Sequence, residues 1–195
     1  MNVSFDMQGL RRRLLSVNAD PGLMDAYPPD AAVAVIIDQS ERPGSILLIR
    51  RTEREGDRWS GQIAFPGGHR ESSDRTFLDT AIREAEEEVG ISLREHEILG
   101  ALPLVHSQRR SVRVAPFVFQ LKTRVEIQPN REVADAFWLA LSDIANNVIT
   151  KTKVQVENGN LVTDSYIYRG YVIWGLTFRI INLLLDKIVD AQSTH

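Results

Sequence analysis

The chain has 195 residues, a formal net charge of −3 and no cysteine. That length suits one domain with a substantial core, and the charge leaves no basic surplus for bulk electrostatic binding of nucleic acid. The missing thiols exclude disulfides, thiolate zinc sites and cysteine nucleophiles. No apolar run approaches the ~18 residues of a membrane-spanning helix. The opening stretch, MNVSFDMQGLRRRLL, lacks the apolar core of a signal peptide, so a soluble cytoplasmic protein is expected.

Residues 5–16 read as a short amphipathic helix, with Phe5, Leu10, Leu14 and Leu15 apolar and Arg11, Arg12 and Arg13 exposed. Three arginines on such a helix are commonly a solvated face, and a basic arm for a phosphate-rich partner is the alternative. Pro21, Pro28 and Pro29 make residues 18–30 an irregular linker. Residues 1–30 are therefore expected to form an N-terminal helix and linker, and residues 31–195 the main domain. AAVAVIID, from Ala31 to Asp38, is a buried strand by its apolar run and β-branched content. A turn at 41–44 leads to SILLIRR, and the two strands form a hairpin ending at Arg50 and Arg51. Residues 52–60 are a polar loop, and GQIAFP, residues 61–66, is a short strand delivering the chain to a turn at Gly67-Gly68.

The next stretch, GGHRESSDRTFLDTAIREAEEEVGI, is the most informative one in the chain. Ser72, Ser73 and Asp74 are candidate N-caps for a helix, and Gly90 is its expected stop. Leu78, Ala81, Ile82, Ala85 and Val89 form an apolar stripe that anchors the helix on a core. Glu84, Glu87 and Glu88 share the outward face, with Glu86 toward solvent. Like charges at these spacings repel by a few tenths of a kcal/mol per pair, and the C-terminal end of a helix dipole disfavours anions. A divalent cation removes both penalties, and Mg²⁺ or Mn²⁺ favours such carboxylates. A merely solvated acidic face is the plainer reading for an isolated run.

Beyond the helix, residues 97–104 read as a strand interrupted by Pro103, and residues 106–110 as a polar loop containing His106. Residues 112–121 and 132–139 are strands, followed by a short helix over 141–146. Residues 151–157 and 162–169 form a hairpin about Asn158-Gly159-Asn160. Residues 171–190 read as a final apolar helix packed on the sheet. The total of about six to eight strands and two long helices, without regular alternation, gives an α+β fold with a mixed sheet between helices. Phe65, Trp138 and Trp174 are assigned to the core, and Trp59 either to stacking or to core closure.

Arg83-Glu84-Ala85-Glu86-Glu87-Glu88-Val89-Gly90-Ile91 resembles the second half of the Nudix box. The first half departs from the usual spacing: Asp74 replaces the first Glu, and eight residues rather than seven separate it from Arg83. The extra residue, the preceding Phe65-Pro66-Gly67-Gly68, the Leu47-Leu48-Ile49-Arg50-Arg51 run and Ile173-Trp174-Gly175-Leu176-Thr177 resemble the coenzyme A pyrophosphatase branch. Asp57 stands where that branch usually has Arg, with Arg58 one residue later. The resemblance implies a Nudix α/β/α sandwich and metal-dependent hydrolysis of a diphosphate in a nucleoside diphosphate derivative. It implies Glu84, Glu87 and Glu88 as ligands of Mg²⁺ or Mn²⁺, Arg83 as the residue orienting a glutamate, and Gly67 and Gly68 as close backbone to metal and phosphates. Arg50 and Arg51 are candidate phosphate contacts. Coenzyme A or acyl-coenzyme A is the implied substrate. ADP-ribose, dinucleotides or nucleoside triphosphates are the alternative, and a non-catalytic nucleotide sensor is a third reading. A homodimer is left open, since no segment identifies an interface.

Overall fold

The computed structural model describes residues 6–17, 28–40, 44–56, 59–107, 111–123, 125–156 and 161–192. Most of the 18–30 linker, Asp57 with Arg58, and the expected turn at 158–160 lie outside these residues. Helix α1 spans Met7–Arg13, shorter than the expected 5–16. It stops because Leu14 turns extended and Leu15 bridges to Ala101 instead. Leu10 is fully buried, while Arg11 pairs with Glu97 at the surface.

An eight-stranded mixed sheet forms the middle layer. Strands β1 (Ala31–Asp38) and β2 (Ser45–Arg51) meet as an antiparallel hairpin only at Ile37↔Ile46 and Asp38↔Ser45. They then part. β1 continues beside β4 (Gly67–His69) and, in parallel, beside β7 (Val112–Gln120), while β2 continues beside β3 (Ile63–Ala64) and β8 (Val133–Ala140). The opening between the diverging strands is where the site forms. The stretch expected as one strand over 97–104 is broken at Pro103 into β5 (Glu97–Ala101) and β6 (Val105–Ser107), both paired with β7. The break faces Ala115-Pro116 of β7, where proline has no N–H to offer. His106 therefore sits on a strand, not in a loop.

Side chains alternate across the sheet with the two-residue strand period. Ala32, Ala34 and Ile36 join one core with the apolar stripe of α2 (Phe77–Val89). Val35 and Ile37 join the other with Leu10 of α1 and with α4 (Gly175–Gln192). Each face of the sheet is thus covered, giving an α+β fold of the Nudix α/β/α type. The short helix α3 (Leu141–Ala145) follows β8 as expected. A separate three-stranded sheet, β9 (Lys151–Val156), β10 (Leu161–Tyr168) and β11 (Tyr171–Trp174), contains the expected hairpin. Here the sequence expectation needs correction: residues 171–174 are a strand, and the helix begins only at Gly175. Val172 and Ile173 pair with Ile167 and Tyr166 of β10, which β-branched residues favour. The eleven strands among the described residues exceed the expected six to eight because several have only two to four residues, too short for periodicity to mark. No helix among the described residues is long and apolar enough to cross a membrane.

Candidate functional site

Helix α2 fixes the acidic face. Its N-cap is Thr76, not Ser72, Ser73 or Asp74: the Thr76 hydroxyl accepts the Asp79 N–H, and Asp79 in return accepts the Thr76 N–H. This capping box starts the helix one turn later than the serines would. Gly90 ends it in the left-handed conformation at φ 72°, as expected. Ala81, Ile82, Ala85 and Val89 are buried, so the apolar stripe orients the opposite face.

That face is only partly outward. Glu86 and Glu87 are exposed, but Glu88 retains only 2% of its accessible surface. Its Oε2 accepts the Gly67 N–H at 2.9 Å, and Oε1 lies 3.7 Å from Arg51. Burial pushes the Glu88 carboxyl up to about 7, against the Gly67 hydrogen bond and with the help of neighbouring Glu84. Burial also raises Glu84, against the pull of Arg83.

Gly67 and Gly68 do not form the expected turn. They are paired in β4 with Val33 and Ala32 of β1. A Cβ on Gly67 would lie 2.4 Å from the Ala32 carbonyl oxygen, and one on Gly68 would lie 2.4 Å from Glu84 Oε1. The first glycine lets two strands close up, and the second lets a carboxylate lie against bare backbone.

Arg83 is the hub of the charges. Its Nη1 donates to Glu84 at 3.0 Å and to Glu87 at 2.9 Å, and its Nη2 to the His69 carbonyl at 3.2 Å. Its other edge is held by Asp74, through Nε to Oδ1 at 3.1 Å and Nη2 to Oδ2 at 3.0 Å. Asp74 is buried and also accepts from the Glu71 N–H and the Thr80 hydroxyl. The hydrogen-bonded Arg83 guanidinium lowers the Asp74 carboxyl to about 2, and the same contact raises Arg83. The departure from the usual box spacing at Asp74 hid this residue. A buried acid nine positions before an arginine gives no periodic signal, because the contact crosses a loop.

A cavity of about 260 Å³ opens beside these groups at the parting of β1 and β2. Its polar wall carries Glu84, Glu88, Arg51, Glu132 and the backbone of Gly67 and Gly68. Of the predicted residues, the structure brings Glu84, Glu88, Arg51, Gly67 and Gly68 together here. Glu87 joins Glu84, Glu88 and Arg83 on the wall of an adjoining, more open depression. Arg50 does not line the cavity: it sits opposite Asp135, which takes the Tyr171 hydroxyl bond, while the next residue along the strand, Arg51, turns to Glu88. Sequence reasoning missed Glu132, which pairs with Arg54 at 3.1 Å, and placed Trp174 in the core, although it lines the cavity. Phe65 is both, at 2% exposure. Trp138 packs on the α2 side of the core as expected. His106 is not part of the cavity wall, and its carbonyl accepts from Arg179.

No group of three or more His, Asp or Glu side chains is gathered as a ready ligand cage among the described residues. Arg83 holds Glu84 and Glu87 instead. The donor set nevertheless fits a hard divalent cation. Glu84 and Glu88 offer carboxylate oxygens on one cavity wall. A carboxyl buried as deeply as Glu88, beside a second one, is charged at a cost that a cation would offset.

A family model described as the NUDIX domain matches residues 28–161. The uncharacterized Nudix hydrolase NudL of Pectobacterium atrosepticum is 33% identical over 160 residues, covering 80% of this chain and 82% of that protein. Its namesake in Yersinia enterocolitica is 32% identical over 171 residues, covering 86% of each. The Nudix hydrolase RenU of M. smegmatis superposes with a TM-score of 0.54 at 16% identity, over 84% of this chain and 86% of its own, a likeness of fold. With its box helix, its acid-lined cavity and these relatives, the chain belongs to the Nudix hydrolase family.

Proposed function

We propose that this Nudix pyrophosphohydrolase cleaves the diphosphate linkage of a nucleoside diphosphate carrying a second group, such as ADP-ribose or a dinucleotide. The observation that carries the reading is the buried Glu88 carboxylate, bonded to the Gly67 N–H and facing Arg51 across the cavity that Glu84 shares. Residues 31–195 act as the hydrolase domain, with 1–30 as its N-terminal helix and linker.

Glu84 and Glu88, with Glu87 from the adjoining surface, would hold Mg²⁺ or Mn²⁺. Such a cation screens diphosphate charge and lowers the pKa of water. Arg51 offers a guanidinium to a phosphate oxygen, a pairing favoured by its planar donors. Gly68 leaves the backbone bare, so that the Glu84 carboxylate lies directly against it at the cavity wall. Arg83 orients Glu84 and Glu87, and Asp74 orients Arg83 by gripping its opposite edge. Water adds to one phosphorus, and the bridging oxygen leaves with its electron pair on the other phosphate. Most of the acceleration then comes from positioning and electrostatics.

Coenzyme A or acyl-coenzyme A is the second substrate reading. It is favoured by one observation: the three segments that resemble that branch, 47–51, 65–68 and 173–177, all contribute to the cavity wall. The test is turnover of ADP-ribose, diadenosine polyphosphates, nucleoside triphosphates and coenzyme A with Mg²⁺ or Mn²⁺, products resolved by mass. Cleavage between the phosphates, lost in Glu87→Gln while nucleotide binding persists, is the expected result. Binding without turnover of any substrate would replace the enzyme with a nucleotide sensor.

A further inference from the structure

The cavity has a second wall made of different chemistry. Val112 and Val114 of β7, Trp174 of β11, and Leu176 and Ile180 of α4 contribute to it. Helices α2 and α4 pack on opposite faces of the sheet, so this apolar wall comes from the side away from the acids. Trp174, Leu176 and Ile180 also lie beyond residue 161, where the match to the family domain ends.

The apolar wall is held in place. Trp174 pairs with Ser165 at the end of the β10–β11 ladder. Gly175 then adopts φ +65°, a left-handed conformation that lets the strand turn directly into α4. Two residues later the buried Thr177 hydroxyl donates to the Ile63 carbonyl of β3 at 2.8 Å. Leu176 is thereby fixed between a sheet and a latch, at half-buried exposure, facing the cavity. Leu176 packs one side against the core that α4 covers and turns its remaining apolar surface to the cavity, where a ligand can reach it.

We infer that Trp174 and Leu176 determine substrate selectivity by receiving an apolar group borne on the far phosphate of the diphosphate, so that the C-terminal unit outside the shared domain sets the preference. The inference rests on the proposed diphosphate chemistry and adds the character of the second group. An apolar wall rewards removal of hydrocarbon from water and gives polar groups no partner, so a diphosphate with an apolar second group is preferred over ADP-ribose or a dinucleotide.

Two synthetic probes isolate this effect: ADP esterified on its β-phosphate with methanol or with hexanol. Both hydrolyse to AMP and an alkyl phosphate, and they differ only in hydrocarbon length. The wild-type protein is expected to show at least a tenfold higher kcat/KM for the hexyl ester, since only that ester carries five further methylenes out of water. Leu176→Asn is expected to bring the ratio below about threefold, and Leu176→Met to retain it. Because the readout is a ratio within one protein, partial loss of folded material does not alter it. Equal turnover of the two esters by the wild type, or an unchanged ratio in Leu176→Asn, overturns the inference. If neither ester were cleaved, the catalytic reading would fail separately. Calorimetric binding would then decide: tighter binding of the hexyl ester, lost in Leu176→Asn, upholds the wall, and equal or absent binding overturns it.

Discussion

Asp74→Asn tests the charge relay beneath the site most directly. Asp74 is 6% exposed and accepts from four donors: two Arg83 nitrogens, the Glu71 N–H and the Thr80 hydroxyl. The amide keeps the shape but removes the charge and turns one oxygen into a donor facing a guanidinium. The fall of the carboxyl from 3.8 to about 2 corresponds to about 2 kcal/mol of folded-state stabilisation. Breaking a buried ion pair adds to this, although Arg83 keeps Glu84 and Glu87 as partners. Loss of about 2 to 4 kcal/mol at pH 7 is therefore expected. The pH dependence has a definite sign. The folded pKa is depressed, so the stabilisation is complete above 3.8 and is lost as pH falls through about 2. Urea unfolding of wild type and variant should show a gap at pH 7 that shrinks by about half at pH 3. A variant as stable as the wild type at pH 7, or a gap independent of pH, would refute the assignment of Asp74 as the anchor of Arg83.

The glycine pair should separate folding from chemistry. Gly67→Ala places a Cβ against the Ala32 carbonyl oxygen and the Val33 backbone; neither yields easily, so a cost of about 1–3 kcal/mol is expected in chemical denaturation. Gly68→Ala meets only the end of the Glu84 side chain, so unfolding should change little while kcat drops at least about tenfold, as misplacement of a positioned group predicts. Glu88→Gln removes a charge that burial penalises. Its folded pKa of about 7 exceeds the usual 4.5, so wild type loses stability as pH rises between these values. In chelator-treated protein the variant should gain on wild type over that window and level off above it, with turnover lost; a constant difference across pH would contradict the burial argument. Thr177→Val removes the bond to the Ile63 carbonyl and should lower stability by about 1–2 kcal/mol in thermal unfolding.

What the sequence made legible was whatever repeats locally. The α2 stripe of Ala81, Ile82, Ala85 and Val89 followed from the 3.6-residue period, the Gly90 stop from its capping chemistry, and β1, β2 and β7 from local apolar runs. The true N-cap was also readable, since Thr76-Phe77-Leu78-Asp79 is a capping box with Asp in place of Glu; the adjacent serines masked it. Contacts made at a distance were not readable. That Gly67-Gly68 is a strand depends on β1 lying beside it. That Glu88 is buried, unlike Glu87 one residue earlier, depends on β4 closing over it. Composition alone cannot distinguish two glutamates in one run.

The same reasoning explains why the site sits where it does. A hairpin normally stays paired along its length, and β1 and β2 are both long enough to do so. They part where β4 takes the edge of β1 and β3 the edge of β2 that the hairpin vacates, while β7 and β8 hold the opposite edges along their length. The short strands β3 and β4 fill the resulting opening with backbone rather than with bulky side chains. Glycine at 67 and 68 keeps that filling thin, so α2 from one face and α4 from the other reach a common space. An acidic wall and an apolar wall meet there only because the central hairpin is incomplete. Any substitution that zipped β1 to β2 further would displace β4, withdraw the Gly67 N–H from Glu88 and close the cavity at once.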